Sequence, residues 1–301
     1  MSIWGNLPVS ENVSLAGFTT WKVGGPARWY AEPKADEVSL YLAKAAELEI
    51  PVFYLGRGSN ILIPDQGVDG LVLHGWKSLC RIERISNELV EAETGVPLPR
   101  LSRFVADIGC GGFEFLIGIP GTVGGGVAMN AGLRVPMVRE ISDVLDSMDV
   151  VEKGTGEVQC INSQDADLRY RYSRFLEEGQ FILRARFRLE DFTRGREAIR
   201  RLTAHHLEER RIKQPLSRQT AGSTFKQLAG GPATGWYIDK AGLKGTRIGG
   251  AIVSQKHANW IETEKGAQAS DVLKLMDKVV DVVQSRFGVT LESEVQIFGQ
   301  R

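Results

Sequence analysis

The chain has 301 residues, 43% hydrophobic and 25% charged, with 37 Lys+Arg against 37 Asp+Glu and a formal net charge of zero. That balance excludes a general nucleic-acid or membrane-surface binder, which carries a basic excess, and no apolar stretch is long enough to span a bilayer. Cys80, Cys110 and Cys160 form no C-x-x-C pair, and His74, His205, His206 and His257 show no H-E-x-x-H spacing, so reduced thiols and no metal site are expected.

The length predicts two or three domains. The start, Met1-Ser-Ile-Trp-Gly-Asn-Leu-Pro8, lacks a basic segment followed by an apolar run, so no secretory signal is expected and the setting is cytoplasmic. Over 20–76 the pattern predicts short strands around one helix, Val38 to Glu49, ended by Pro51. Pro51-Val-Phe-Tyr-Leu-Gly56 is a buried-strand pattern that runs into the glycine-polar turn Arg57-Gly-Ser-Asn60, and Ile61–Ile63 and Leu71–Leu73 predict further strands. Residues 80–96 alternate as strands do, and Leu98 to Ile108 predicts a helix with Leu101, Phe104, Val105 and Ile108 on one face. After the glycine-rich stretch 118–132 come strand patterns at Val144–Val151 and Phe181–Leu189. The basic run Arg194–Arg218 predicts a solvated helix between domains, with Arg210, Lys213 and Arg218 as candidates for an anionic ligand. Residues 219–262 are glycine-rich with short strands. Asp271 to Phe287 predicts an amphipathic helix closed by Gly288, and Thr290–Phe298 a last strand.

The stretch Gly118-Ile-Pro-Gly-Thr-Val-Gly-Gly-Gly-Val-Ala-Met-Asn-Ala-Gly132 contains no Lys, Arg, Asp or Glu, so an anion there would be held by main-chain dipoles. It is not a Walker loop, because Gly126 is followed by Val127-Ala128. It is not a G-x-G-x-x-G fingerprint either, because Met129 occupies the third glycine position. A tight turn in a β-rich domain remains the plain alternative. Together with Gly56–Asn60 it offers two glycine turns carrying Ser59, Asn60, Thr122 and Asn130, which suit one long diphosphate cofactor or are two unrelated turns.

Three further segments carry candidate chemistry. Arg171, within Tyr170-Arg-Tyr-Ser-Arg-Phe175, suits a carboxylate or a developing oxyanion, and equally a strand-surface arginine beside core aromatics. Ser223, within Thr220-Ala-Gly-Ser-Thr-Phe-Lys226, is in a small-residue turn with no G-x-S-x-G elbow, so a hydrolase is excluded while a turn-forming serine is not. Glu292 and Glu294 share a face if Leu291-Glu-Ser-Glu-Val295 is a strand, as catalytic carboxylates or as an exposed edge.

The combination Gly56-Arg-Gly-Ser-Asn60, Gly118-Ile-Pro-Gly-Thr-Val-Gly-Gly125, Met129-Asn-Ala-Gly132, Tyr170-Arg-x-Ser173, Ala221-Gly-Ser223, Gly242-Leu-Lys-Gly245 and Leu291-Glu-x-Glu294 resembles the UDP-N-acetylenolpyruvoylglucosamine reductase (UDP-N-acetylmuramate dehydrogenase) family from about Thr19 to Gly299. The resemblance implies an α+β protein with the FAD-binding fold of vanillyl-alcohol oxidase-type flavoproteins and a C-terminal α+β substrate domain. Its implied parts are 1–75 as FAD subdomain 1, joined by the C-terminal strand 291–301, 76–195 as FAD subdomain 2, and 196–290 as substrate domain. It implies FAD as cofactor and NADPH as co-substrate. The reaction is reduction of the enolpyruvyl double bond of UDP-N-acetylglucosamine enolpyruvate for peptidoglycan synthesis.

The resemblance places the proton donor at Ser223, the enolate-stabilising cation at Arg171 and an assisting, protonated carboxyl at Glu294, with Glu292 as the like charge that would raise its pKa. FAD contacts are implied at Tyr54, Gly56, Arg57, Gly58, Ser59, Asn60, Ile119, Pro120, Gly121, Thr122, Gly124, Gly125 and Asn130. Neither turn contains a His or Cys tether, so the FAD is expected to be non-covalent. Substrate contacts are implied at Lys226, Gln227, His257, Asn259 and Lys213. The chain departs from the family pattern Ser-x-Phe-Lys-Asn-Pro at Gln227-Leu228, so a substrate contact is expected to shift and the loop to leave differently. The short Tyr170–Ala221 segment matches the subtype without a tyrosine-bearing lid, with a more open pocket. A monomer is expected. A flavin-dependent carbohydrate or alcohol oxidase of the same fold, and a non-catalytic nucleotide-sugar binding protein, are the alternatives.

Overall fold

The computed structural model describes residues 3–133 and 138–299, so the last two positions of the expected C-terminal strand 291–301 lie outside the described residues. The chain divides into two compact units: Met1–Glu11, Trp29–Arg57 and Gly70–Glu209 form the first, and Asn12–Arg28, Gly58–Asp69 and Arg210–Arg301 the second.

The first unit holds two apolar cores. In one, the helix Val38–Glu47 buries Val38, Tyr41, Leu42 and Ala45, a helical one-face spacing, against Trp4, Trp29, Leu71, Leu73 and Phe181. The helix stops short of the expected Glu49, because Glu49 itself turns to φ 54 ahead of Pro51. Strand Val52–Leu55 pairs in parallel with Val68–His74, placing Leu55 beside His74 and delivering the chain to Gly56. In the other, an antiparallel sheet runs in the order Val158–Asn162, Leu145–Val151, Phe181–Arg188, Leu89–Glu93, Ile82–Arg84. The helix Leu98–Asp107 covers it with Leu98, Leu101 and Val105, alongside Phe113, Val123, Val127 and Phe187. Arg186 binds Asp149 bidentately at 2.8 and 2.9 Å and Arg184 reaches Glu91 at 3.3 Å, so charged rows tie neighbouring strands.

In the second unit the helix Ala269–Phe287 buries Val272, Leu275, Met276, Val279 and Val283, as the sequence periodicity predicts, and Gly288 closes it at φ 69. Each such side chain contributes about 1.5–3 kcal/mol relative to exposure. The helix starts two residues before the expected Asp271 because its first amides find acceptors: Ala269 and Ser270 N–H donate to the Asp65 carboxylate at 2.7 and 2.9 Å. Its core includes Ala221, Val253 and Ile261 from a four-stranded sheet ordered Thr220–Ser223, Trp260–Thr263, Ala251–Val253, Arg247–Ile248.

Two sequence expectations change in detail. The basic run forms one helix, Arg196–Lys213, that buries Ile199 and Thr203, half-buries Ala198, Leu202 and Leu207, and exposes Arg196, Arg200, Arg201, Arg211 and Lys213. The expected strand Thr290–Phe298 resolves into a single antiparallel bridge, Phe225 with Ser293, and a short strand, Gln296–Ile297, parallel to Ile61–Leu62. The segment changes partner at the buried Val295, so no continuous ladder forms.

Candidate active-site residues

In the first unit Thr122 precedes a short helix, Val123–Ala128. Its leading amides are already engaged: Val123 N–H donates to Val96 O and Gly124 N–H to Thr94 O, both at 2.9 Å. A Cβ on Gly124 would run into the Thr94 hydroxyl, and one on Gly126 would lie 2.7 Å from Ile141 Cδ1. Those two glycines are therefore required by packing, and the main-chain anion cradle is narrower than the glycine count suggests. Gly125 differs, being exposed, with Thr122 Oγ1 the nearest atom at 3.9 Å from where a Cβ would be. Gly121 takes φ 145, and Ile119 and Pro120 are half-buried beside it.

Gly56, at the end of its strand, lies against this loop: a Cβ there would sit 2.5 Å from Thr122 Oγ1. The structure thus brings one end of the first glycine turn to the second. The Gly56 main chain, the Thr122 hydroxyl and the exposed Gly125 are backbone and hydroxyl groups of the kind that can hold a flavin diphosphate. Next to Gly56, His74 is fully buried, with Nε2 3.1 Å from Gly56 O and Nδ1 2.6 Å from Tyr30 Oη, and Tyr30 Oη donates to Glu32 at 2.6 Å. Burial lowers the His74 pKa, with the Glu32 charge acting against it. Sequence reasoning missed His74; its signal is an imidazole ending the apolar run Leu71–Leu73. Tyr54 donates to Gly179 O at 2.6 Å, and the Arg57 guanidinium is 5.5 Å from the Trp76 ring.

The rest of that turn belongs to the second unit. Gly58 takes φ 61, where a Cβ would lie 2.5 Å from Phe18 O. Asn60 donates from Nδ2 to Glu294 O at 3.0 Å and accepts from Gln296 N–H at 3.0 Å, and Ser59 is half-buried between them.

Asn130 is buried, with φ 39, and its amide faces protein on each side. Nδ2 donates to Glu140 at 3.0 Å and to Arg169 O at 3.2 Å, while Oδ1 accepts from Ser142 N–H at 3.0 Å. Its role is to hold the return of the glycine loop. Arg171 is fixed by that return: Nη2 donates to Gly132 O at 2.9 Å and Nη1 to Asn130 O at 3.4 Å, with Glu140 at 3.8 Å and the Tyr170 ring at 4.9 Å. Arg171 itself adopts φ 55, and Ser173 anchors the segment by donating to Ala128 O at 2.7 Å. A guanidinium so restrained is a preorganised positive charge.

In the second unit Ser223 ends its strand after a register slip between Thr220 opposite Glu262 and Ser223 opposite Trp260, with Gly222 at φ 81. A bulge of this kind re-aims the following side chain. Glu294 N–H donates to Thr224 O at 2.9 Å and Lys226 N–H to Glu292 O at 2.8 Å, so the main chains carrying Ser223 and Glu294 run side by side. Glu292 is exposed and ion-paired to Lys226, which offsets the like charge that sequence reasoning assigned to it, while Glu294 is half-buried.

Gln227 accepts from Thr234 N–H at 3.0 Å. The His257 ring centre is 5.8 Å from that of Trp260, and burial, then the Lys244 charge, lower its pKa. Asn259 is completely buried. Lys213 is exposed at its helix end, Arg210 binds Gln214 at 3.0 Å, and Arg218 is 3.8 Å from Glu262. Among the described residues no group of three or more His, Cys, Asp or Glu is placed to hold a metal, and no helix is long and apolar enough to cross a membrane.

Residues 30–162 match the model of an FAD binding domain, and 214–298 that of the UDP-N-acetylenolpyruvoylglucosamine reductase C-terminal domain. A UDP-N-acetylenolpyruvoylglucosamine reductase from Carboxydothermus hydrogenoformans is 39% identical over 97% of this chain and 95% of its own length. One from Agathobacter rectalis is 38% identical over 98% of this chain and 95% of its own. The crystal structure of the Thermus caldophilus UDP-N-acetylenolpyruvylglucosamine reductase superimposes with a TM-score of 0.81 at 34% identity, covering 97% of this chain and 99% of that one. The expected α+β fold, an FAD-binding part followed by a C-terminal domain, is borne out, and neither the oxidase nor the binding-protein alternative is favoured. The chain belongs to the UDP-N-acetylenolpyruvoylglucosamine reductase family of FAD-dependent oxidoreductases.

Proposed function

We propose that the chain reduces the enolpyruvyl double bond of UDP-N-acetylglucosamine enolpyruvate with NADPH, giving UDP-N-acetylmuramate, and that it does so as a cytoplasmic monomer. FAD, when bound and reduced by NADPH, would supply the hydride needed at the terminal carbon of the enol ether. Negative charge then develops on the adjacent carbon and its carboxylate. Arg171 stabilises those oxygens, a role its anchoring by Gly132 O and Asn130 O supports. The Ser223 hydroxyl gives its proton to the adjacent carbon and recovers one from solvent; so weak an acid suits so basic a centre. Glu294 assists as a hydrogen-bond donor.

The non-covalent FAD is assigned to Tyr54, Gly56–Asn60, Ile119–Thr122, Gly124, Gly125 and the Asn130 turn. The close approach of Gly56 to Thr122 supports this assignment. Lys226, Gln227, His257 and Lys213 are assigned to the UDP-sugar. Within the chain, 1–75 and 76–195 are assigned to FAD and 196–290 to substrate, and the pairing of Gln296–Ile297 with Ile61–Leu62 supports joining 291–301 to the first part.

The observation that carries the reading is the adjacency of the Ser223 and Glu294 main chains through Glu294 N–H and Thr224 O. Incubation with NADPH and the enolpyruvate should yield a product heavier by two hydrogens. Recovery of unchanged enolpyruvate beside a protein that has bound FAD would overturn the reading.

A further inference from the structure

The residue types around Ser223 leave open what immobilises its hydroxyl. On its N-terminal side the strand pairs Thr220 with Glu262, and Gly222, at φ 81, has no heavy atom within 4 Å of where a Cβ would be, so no side-chain packing holds the turn at that position. On its C-terminal side the 291–295 segment bonds Thr224 O and Lys226 N–H, and the opposite edge of the chain is held by one residue, Asn259, 34 positions beyond Phe225. Asn259 Oδ1 accepts from Phe225 N–H at 3.0 Å, Asn259 Nδ2 donates to Phe225 O at 2.8 Å, and Asn259 O accepts from Thr224 N–H at 2.8 Å. The side-chain amide thus pairs with Phe225 as a peptide group would in a strand ladder, on a segment that also bridges Ser293. Asn259 exposes none of its surface. An amide has one acceptor oxygen and two N–H groups, and here the oxygen and one N–H are engaged by protein in a place solvent does not reach.

We propose that Asn259 is a positioning residue. Its amide clamps the main chain after Ser223, and with it sets the hydroxyl relative to the strand segment that carries Glu294, without contacting the UDP-sugar. The inference rests on the proton-donor reading of Ser223. It separates Asn259 from its neighbour His257 and from Lys226 and Gln227, which remain assigned to substrate. Loss of the clamp leaves Phe225 N–H and C=O buried without partners and lets the Ser223 segment shift. A misplacement near 1 Å costs about 100-fold in the proton-transfer step.

The test uses the flavin-loaded full chain as wild type, Asn259→Ala and Asn259→Asp, with retained flavin absorbance reporting a folded FAD-binding part. Flavin reduction by NADPH should be unchanged in both variants. At neutral pH, reoxidation of the reduced flavin by saturating UDP-N-acetylglucosamine enolpyruvate should slow about 100-fold, with the dissociation constant for that substrate unchanged. Asn259→Asp adds a readout that a mere packing role would not move. An ionised carboxylate faces the Phe225 carbonyl unfavourably, whereas the protonated acid can donate to it as the amide does. Its rate relative to wild type should therefore recover as pH falls from about 8 to about 5, burial having raised the acid's pKa.

A weakened substrate dissociation constant with an unchanged saturating rate would make Asn259 a substrate contact and overturn the proposal. So would wild-type rates in both variants, or a flat pH ratio for Asn259→Asp. Should Asn259→Ala fail to fold, the pH ratio of Asn259→Asp decides alone. Absence of reoxidation in wild type would instead defeat the functional reading, which keeps the two failures apart.

Discussion

The two units fix their catalytic candidates by opposite means. In the first, a long side chain is immobilised by main chain: the Arg171 guanidinium donates to Gly132 O and Asn130 O. In the second, main chain is immobilised by a side chain: Asn259 holds Phe225, and the adjoining backbone bonds set the Ser223 segment beside the segment that carries Glu294. The difference follows from the side chains themselves. A guanidinium has many rotors and a planar fork of donors, so it needs acceptors at its tip to become a preorganised charge. A serine side chain has one heavy-atom torsion, so placing its backbone leaves the oxygen only the three χ1 wells.

The contrast predicts that removing chemistry costs most in the second unit, that removing tip contacts costs next in the first, and that scaffold changes cost least. Ser223→Ala should leave flavin reduction by NADPH intact and slow enolpyruvate reduction by about 1,000-fold or more, read by separate half-reactions. Equal loss in both would break the assignment of Ser223 to protonation. Arg171→Lys keeps the charge but loses the planar fork, so enolpyruvate reduction should fall about 100-fold, with little change in flavin reduction. A rate within a few-fold of wild type would mean that charge alone, and not the anchored geometry, is what matters.

Gly124→Ala introduces a Cβ against the Thr94 hydroxyl. It should cost about 1–3 kcal/mol of stability and weaken FAD binding, measured by thermal melting and by flavin fluorescence titration. The same change at the exposed Gly125, where the nearest atom is 3.9 Å away, should leave melting almost unaltered, so any loss of FAD there reports on ligand approach.

A smaller effect than that of Gly124→Ala is expected at Asp65. Burial raises its pKa, but the Ser270 and Ala269 hydrogen bonds and the Lys274 charge outweigh it, and the net direction is down. A depressed carboxyl stabilises the fold above its unfolded pKa and loses that contribution as pH falls through the folded value. Asp65→Asn should therefore lower stability by about 0.5–1 kcal/mol at neutral pH, the low end for an exposed cap. The deficit should vanish in acid, and a deficit that persists there would assign it to packing.

Much of this architecture is legible in the sequence because it is local. Apolar spacing alone places the helices Val38–Glu47 and Ala269–Phe287 within two residues at each end, and Gly288 marks a helix end. The family motifs place Arg171, Ser223 and Glu294 without geometry. What stays hidden depends on partners remote in the chain. That Gly124 and Gly126 are also required by packing appears only when Thr94 and Ile141 are found against them. Asn130 and Asn259 look like ligand contacts, yet their amides meet Glu140, Arg169, Ser142 and Phe225. Glu292 looks like the charge that tunes Glu294 until Lys226 is found beside it. Alternation and composition carry no information on such pairings.

The central claim is that reducing equivalents pass from NADPH to bound FAD and on to the enolpyruvyl group. The most direct measurement reduces the flavin anaerobically with NADPH, adds UDP-N-acetylglucosamine enolpyruvate and follows the flavin absorbance. The account predicts prompt return of the oxidised spectrum with formation of UDP-N-acetylmuramate. A flavin that stays reduced in the presence of the substrate would contradict it.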